Sequence, residues 1–233
     1  MCIRDSVYRN GLVYACHYDV VKAFDTVRVS SLRRLLSQLP GVEPEVMGLT
    51  KTLLLGTKPD RLIGLNQGEA LSGLLFNFYV NEFHDVKMDK ELSEEFQIYR
   101  YADDLCVIGK SKDLVEQTVT KSINYLNEAN LEVVKEEVVD LRSNKIDLLG
   151  LTIKGNVSNI DFSLPESTWT RLSVSLDEAH KHPNPIRQIQ RIVTGWKQAT
   201  NPMTWTGQDD KRLESILRNH GITMNNLEDN NHE

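Results

Sequence analysis

The chain has 233 residues, of which 40% are hydrophobic, and its formal net charge is -6 at pH 7. This length and composition predict a folded protein with its own core, and no apolar run is long enough to cross a bilayer, so we expect a cytoplasmic protein without a membrane partner. Cys2, Cys16 and Cys106 are widely spaced, which argues against a zinc or disulfide framework, and the acidic charge argues against a nucleic-acid binder.

The first predicted strand covers residues 12–19 and ends on Asp19. Its aromatic and apolar composition is typical of a buried strand. An acid at the carboxyl end of such a strand is where α/β sheets place ligand-contacting residues, and the alternative is a simple helix cap. Two helices are predicted next, over residues 30–40 and 44–55, followed by a short strand over residues 61–65.

A polar turn at residues 66–73 opens into a long helix that is predicted to reach residue 90. The apolar positions of this helix fall mostly on one face, which indicates a buried helix. Gly68 in the turn allows a backbone to approach a ligand closely, and the alternative is an ordinary helix start.

Two adjacent acids, Asp103 and Asp104, lie between the apolar segments 96–102 and 105–109. This pattern predicts a hairpin with both carboxylates at its turn. Like charges in a partly desolvated turn tend to take up a proton unless a divalent metal lies between them, so the pair predicts a metal site; the alternative is a polar turn. The other pair of adjacent aspartates, Asp209-Asp210, occupies the polar first turn of a predicted helix near an Asp N-cap, which shows that adjacency alone carries little information.

The remaining segments complete a recognisable order. A helix is predicted over residues 112–129, capped by Ser111, and strands over residues 131–134, 138–141 and 146–153. Together with the earlier segments, these elements form a split β-α-β unit, the ferredoxin-like topology, and therefore an α+β fold. Because that topology places the first strand beside the hairpin, we expect Asp19 to lie close to Asp103 and Asp104. Helical spacing from Trp169 onward predicts a small helical appendage.

The motifs in this order resemble those of the reverse transcriptase family, specifically the bacterial group II intron, retron and defence-associated enzymes. Four segments carry the resemblance: Tyr101-Ala102-Asp103-Asp104 is similar to the Tyr-x-Asp-Asp motif, residues 18–25 to the first catalytic-aspartate motif, Gln67-Gly68-x-x-x-Ser72 to Gln-Gly-x-x-x-Ser-Pro, and Leu148-Leu149-Gly150 to the Phe-Leu-Gly primer grip. The palm subdomain of that family is also a split β-α-β fold.

The resemblance implies an RNA-directed DNA polymerase that uses dNTPs, a DNA or RNA primer and an RNA template, with two Mg²⁺ ions, or Mn²⁺, as cofactors. It assigns catalysis and metal binding to Asp19, Asp103 and Asp104, with the backbone carbonyl of Val20 as a further metal contact. It assigns substrate binding to Phe24, as a steric gate against ribonucleotides, and to Gln67, Gly68, Tyr101 and Lys135. The primer grip would be Leu149 and Gly150.

Some positions depart from the family pattern. Gly73 replaces the proline of the third motif, and Lys135 lies two residues before the usual position of the fourth-motif lysine. Only 18 residues precede Asp19, where the family carries a fingers subdomain, so we expect an N-terminally truncated chain. The expected organisation is a non-native or truncated start at 1–11, a palm at 12–155, a helical thumb-like region at 156–222 and a disordered tail at 223–233.

Other functions remain open at this stage. The chain is alternatively a non-catalytic nucleic-acid-binding module derived from such a polymerase, or another palm-fold enzyme. Phe24 argues against an RNA-templated RNA polymerase, and the Gln67-Gly68 turn argues against a nucleotide cyclase. Among the lineages, Gly73 and the short helical C-terminal region depart from the intron pattern and favour a bacterial defence-type or otherwise unclassified enzyme. A group II intron or retron enzyme fragment remains an alternative, and a dedicated non-coding RNA is a candidate partner.

Overall fold

The computed structural model describes residues 11–41, 43–55, 60–66, 68–155, 160–200 and 206–222. The chain divides into two compact units, residues 1–146 and 147–233, and each is described here by itself. The predicted truncated start, apart from residue 11, and the predicted disordered tail lie outside the described residues.

The first unit alternates strands and helices. Its elements are β1 (Tyr14–Val20), α1 (Ala23–Thr26), α2 (Val29–Ser37), α3 (Pro44–Leu55), α4 (Ala70–Val80), a π-helical turn (Asn81–Asp85), α5 (Val86–Met88), β2 (Phe96–Tyr101), β3 (Asp104–Gly109), α6 (Lys112–Glu128), β4 (Val133–Lys135) and β5 (Val139–Asp140). As predicted, the hydroxyl of Ser111 caps α6 by accepting a hydrogen bond from the Leu114 amide.

The strands of this unit form one antiparallel-paired sheet in the order β2-β3-β1-β4, with β5 also pairing with β1. Strand β3 lies between β2 and β1 and runs antiparallel to both. Apolar side chains of α4 and α6, including Phe76 and Val119, pack against Tyr18 and Leu105 on one face of the sheet. This arrangement is the predicted split β-α-β topology, and the predicted α+β fold class is confirmed.

The short strand predicted over residues 61–65 is wrong. Of these residues, all within the described part of the chain, Ile63 alone makes an isolated bridge, to Arg28. The segment instead bonds to the bend between α1 and α2, since the Gly64 amide donates to the Val27 carbonyl at 2.9 Å. Gly64 has φ +90°, and a Cβ there would lie 3.3 Å from the Asp25 carbonyl oxygen, so a close backbone approach replaces strand pairing.

The helix predicted to run to residue 90 exists, but it is not uniform. After α4 the backbone widens into the π-helical turn, where the Val86 amide donates to the Asn81 carbonyl, five residues back. Regular helix resumes for one short segment and ends at Met88. Periodicity alone predicts a continuous helix, because one inserted residue shifts the apolar pattern only slightly.

The second unit contains a small sheet and three helices. Its elements are β6 (Lys145–Leu148), which crosses the boundary between the units, β7 (Leu151–Gly155), β8 (Ile160–Ser163), α7 (Glu166–Ala179), α8 (Pro185–Ala199) and α9 (Gly207–Asn219). The single strand predicted over 146–153 is wrong: a turn at Leu149 and Gly150, with φ 51° and 78°, divides it into β6 and β7. Helix α9 is capped by Thr206 in a capping box with Asp209, rather than by the Asp expected.

The helices of the second unit enclose a core of their own around Trp169, Leu176 and Leu213. No helix within the described residues is long and apolar enough to span a membrane.

Candidate active site

Two neighbouring strands bring the predicted acids together. In the antiparallel register of β1 and β3, Asp19 lies directly opposite Asp104. The Val20 amide donates to the Asp103 carbonyl at 3.2 Å, so the hairpin turn is joined to the end of β1. Three carboxylates from distant parts of the sequence therefore meet at one end of the sheet, as the topology predicts.

The turn that carries Asp103 is tight. Tyr101 pairs with Asp104, which leaves Ala102 and Asp103 as the two central residues of the hairpin. Ala102 has φ 53°, a left-handed conformation that hairpin turns usually assign to glycine or asparagine. Such a conformation persists only where surrounding contacts hold it.

Electrostatics at the site are unfavourable without a cation. The pKa of Asp19 is raised above its usual value, first because the carboxyl is partly buried and then because Asp103 and Asp104 are close. A hard divalent cation would remove this repulsion, and carboxylate oxygens are its preferred ligands. The donor set therefore fits Mg²⁺ or Mn²⁺.

The three acids do not form a complete set of metal ligands by themselves. Among the described residues, no group of three His, Cys, Asp or Glu side chains is arranged to hold a metal ion by itself. A partial set of protein ligands is usual for Mg²⁺ in phosphate chemistry, because water and substrate phosphates complete the coordination. Asp19, Asp103 and Asp104 would thus supply part of a coordination sphere.

His17 was not identified from the sequence. Its Nε2 lies 3.0 Å from an Asp104 carboxylate oxygen, and its Nδ1 lies 3.2 Å from Glu136 Oε1. Burial lowers the pKa of His17, but the hydrogen bonds to Asp104 and Glu136 outweigh it and raise the pKa. A signal was available, because side chains alternate along a strand and the residue two before Asp19 shares its face.

Phe24 and Tyr101 are two of the predicted substrate-binding residues. Phe24, in α1, is half-buried, and its ring packs on Phe76 of α4 with centroids 5.2 Å apart at an angle of 41°. Tyr101 is 69% exposed and lies on the face of the sheet that carries Asp104, its cross-strand partner.

Lys135 is not brought together with the acids. It pairs with Tyr18 in the β1–β4 register, whereas Asp19 pairs with Val134, so Lys135 belongs to the opposite face of the sheet. Its side chain lines a surface cavity together with Lys112 and Glu116 of α6. The geometry gives no support to a contact between Lys135 and a nucleotide at Asp19.

The remaining predicted site residues are Gln67, Gly68, Leu149 and Gly150. Gln67 lies outside the described residues. Gly68 lies two residues before α4 and has φ +80°; a Cβ at this position would meet nothing within 4 Å, so the backbone conformation of the turn, rather than crowding, favours glycine there. Leu149 and Gly150 form the β6–β7 turn of the second unit, where Thr168 donates a hydrogen bond to the Gly150 carbonyl at 3.4 Å.

Comparison with known proteins supports the resemblance to reverse transcriptases. A family model described as reverse transcriptase (RNA-dependent DNA polymerase) matches residues 8–153. No curated protein sequence matches the chain. Among solved structures, apo telomerase from Candida tropicalis aligns with a TM-score of 0.52 and 14% identity over 96% of this chain and 48% of its own. The same telomerase in complex with a fragment of telomeric RNA gives 0.51 and 14% identity over 93% and 44%.

A telomerase from Candida albicans, also in complex with a fragment of telomeric RNA, gives a TM-score of 0.50 and 12% identity over 92% of this chain and 44% of its own. The chain therefore spans less than half the length of these telomerase chains. At such low identity the likeness concerns the fold.

Proposed function

The chain belongs to the reverse transcriptase family, and from this premise we propose that it is an RNA-directed DNA polymerase that adds deoxynucleotides to a primer 3′ end on an RNA template. The observation that carries the proposal is the register that places Asp19 opposite Asp104, with Asp103 joined to β1 through the Val20 amide. A structural pair of turn acids does not need a third acid opposite it.

Asp19, Asp103 and Asp104 would hold the divalent ions, with the Val20 carbonyl as a backbone contact. When bound, two such ions activate the primer hydroxyl and stabilise the leaving pyrophosphate. The chain's own residues set the donor geometry. His17 bonds one oxygen of Asp104, which leaves that carboxylate less free than Asp103 and supports a less direct role for it.

Phe24 would act as the steric gate for the sugar. Phe76 supports its ring from α4, and the Leu65 amide donates to the Phe24 carbonyl at 2.7 Å, so both the ring and its backbone are fixed. A rigid ring excludes a ribose 2′-hydroxyl better than a mobile one, because it cannot move aside. We do not include Lys135, since it lies on the opposite face of the sheet.

The proposed partners are an RNA template, a DNA or RNA primer and dNTPs. The telomerase relatives that carry a fragment of telomeric RNA support an RNA partner for this fold. The bacterial lineage, the antiphage role and a dedicated non-coding RNA rest on the sequence resemblance, the cytoplasmic location rests on the hydropathy of the sequence, and all of these stay predictions.

Primer extension on an RNA template with dNTPs and Mg²⁺ tests the polymerase proposal. We expect Asp103→Asn to reduce extension roughly a thousandfold, as expected when a ligand for charge stabilisation is lost. Asp210→Asn is the matched control, because it makes the same change in the chain's other pair of adjacent aspartates, at an exposed position that is not among the predicted site residues, and it should leave extension unchanged.

Equal activity of Asp103→Asn and the unaltered chain would contradict the site assignment. If the unaltered chain binds an RNA–DNA hybrid but makes no product, the nucleic-acid-binding module becomes the better function for this chain.

A further inference from the structure

A buried polar network lies behind the site, on the face of the sheet covered by helices. The π-helical turn contains two consecutive polar residues, His84 and Asp85, whose side chains bond Ser122 of α6 and Arg100 of β2. The side chain of His84 is 1% exposed and that of Asp85 is 25% exposed. Single π-helical turns inside α-helices are frequent at functional positions, because the extra residue redirects neighbouring side chains.

One arm of the network reaches β1. The Tyr18 hydroxyl, Ser122 Oγ and His84 Nε2 are linked at 2.7 Å each, and His84 Nδ1 lies 2.7 Å from Asp85 Oδ1. Asp85 is a carboxylate acceptor, so His84 donates from Nδ1. Its Nε2 bonds Ser122 Oγ, which in turn bonds the hydroxyl of Tyr18, the neighbour of Asp19.

The other arm reaches the catalytic turn. Arg100, on β2, donates from Nε to both oxygens of Asp85 at 3.0 Å, and its Nη2 also bonds Asp85. Its Nη1 donates to the Ala102 carbonyl at 3.0 Å and to Asn77 Oδ1 at 2.7 Å. The Arg100 side chain is only 14% exposed. The guanidinium therefore joins α4, the π-helical turn and the hairpin turn.

The carbonyl that accepts from Arg100 belongs to Ala102, a residue with an unfavourable backbone conformation. Ala102 is the non-glycine residue of the hairpin turn at φ 53°, and its peptide leads directly into Asp103. A charge-assisted hydrogen bond to this carbonyl fixes the orientation of that peptide. The Asp103 carbonyl is in turn the acceptor for the Val20 amide.

We propose that Arg100, held by Asp85 and Asn77, is a positioning residue for the polymerase reaction. Its hydrogen bond to the Ala102 carbonyl keeps the hairpin turn joined to β1, and this keeps the three carboxylates in place relative to one another. Arg100 acts through the backbone and touches no substrate. The inference rests on the proposed function for its catalytic consequence, but its structural content is independent of that function.

The substitution Arg100→Lys distinguishes a positioning role from simple charge pairing. A lysine ammonium can keep the ion pair with Asp85, but it lacks the planar fork that reaches Asp85, Asn77 and Ala102 at once. Arg142 provides a matched control, because it also forms a two-pronged pair, with Asp140 at 2.9 and 2.6 Å, on the exposed surface. We therefore compare Arg100→Lys with Arg142→Lys.

Residue-resolved amide hydrogen exchange is the deciding measurement. In Arg100→Lys we expect the Val20 amide to exchange roughly tenfold faster or more, because its acceptor lies on the released turn. The Glu136 amide donates to the His17 carbonyl at 2.9 Å on the other edge of β1, and its exchange rate should not change. In primer extension, kcat should fall roughly tenfold while KM for dNTP changes less than about threefold. Arg142→Lys should change neither quantity.

Unchanged exchange at Val20 overturns the proposal, and so does an equal increase at Val20 and Glu136, which indicates general loosening. If Arg100→Lys does not fold, Asp85→Asn replaces it, with the same selective increase expected at Val20; failure of both to fold assigns Arg100 a purely structural role. Absence of extension by the unaltered chain counts against the polymerase proposal alone, because the exchange comparison still decides the positioning role.

Discussion

His17 is the residue whose substitution best tests how Asp104 is held. His17→Ala removes the hydrogen bond to Asp104 and leaves Glu136 facing the same space. We expect extension to fall roughly tenfold and the Mg²⁺ concentration for half-maximal activity to rise, because partners that orient metal ligands typically contribute effects of about that size. A Mg²⁺ titration of primer extension measures both.

The control for that experiment is His180→Ala, which alters an exposed histidine of the second unit and should leave the titration unchanged. A loss of activity at all Mg²⁺ concentrations, without a shift in the midpoint, would contradict the role of His17 in holding Asp104.

The proposed role of Phe24 is tested by the selectivity of the polymerase for deoxynucleotides over ribonucleotides. Phe24→Ala opens space beside Phe76, and we expect the discrimination between dNTP and rNTP, as a ratio of kcat/KM values, to fall by roughly a hundredfold or more, because exclusion depends on the lost ring. Competitive incorporation with paired dNTP and rNTP measures the ratio. An unchanged ratio in a folded, active variant would assign Phe24 to the core alone.

At the scale of elements, the sequence predicts what local pattern encodes. Alternation and apolar runs predict β1 and the β2–β3 hairpin, and their order predicts the meeting of Asp19 with Asp103 and Asp104. The π-helical turn cannot be predicted from local pattern, because it is defined by a backbone hydrogen bond to the residue five positions back and by contacts such as that of Asp85 with Arg100. The side of the sheet that Lys135 occupies depends on a register that motif spacing alone does not specify.

The π-helical turn has a pH signature. Burial raises the pKa of Asp85, but hydrogen bonds from His84 and Arg100 and the charge of Arg100 outweigh it and lower the pKa to about 2. A carboxyl with a lowered folded-state pKa stabilises the fold above its ordinary value of 3.8, and this contribution is lost as the pH falls from about 4 toward 2.

We expect Asp85 to contribute about 2 kcal/mol to the free energy of unfolding above pH 4, and Asp85→Asn to lack this part of the pH dependence. Urea unfolding of both proteins between pH 2 and pH 6 measures it. The two curves should converge at the acid end; parallel curves would show that Asp85 does not titrate as described.

At the scale of the whole molecule, the acidic site imposes a conflict between stability and function. The pKa of Asp19 is raised by burial and by Asp103 and Asp104, so the folded state binds its proton more tightly than the unfolded chain does. The sign of the linkage is therefore opposite to that of Asp85: ionised Asp19 destabilises the fold, and the penalty grows as the pH rises through the folded-state pKa.

Asp19→Asn is therefore expected to raise the stability of the protein and to abolish its activity. In EDTA at pH 7, Asp19→Asn should raise Tm by roughly 2–4 °C, because it removes a charge from a repulsive cluster. Mg²⁺ should raise Tm of the unaltered chain, since a bound cation stabilises the folded state, and should have little effect on Asp19→Asn. Primer extension by Asp19→Asn should be lost. Thermal unfolding with and without Mg²⁺ measures these shifts, and a lower Tm of Asp19→Asn in EDTA would show that the three carboxylates are not in repulsive contact.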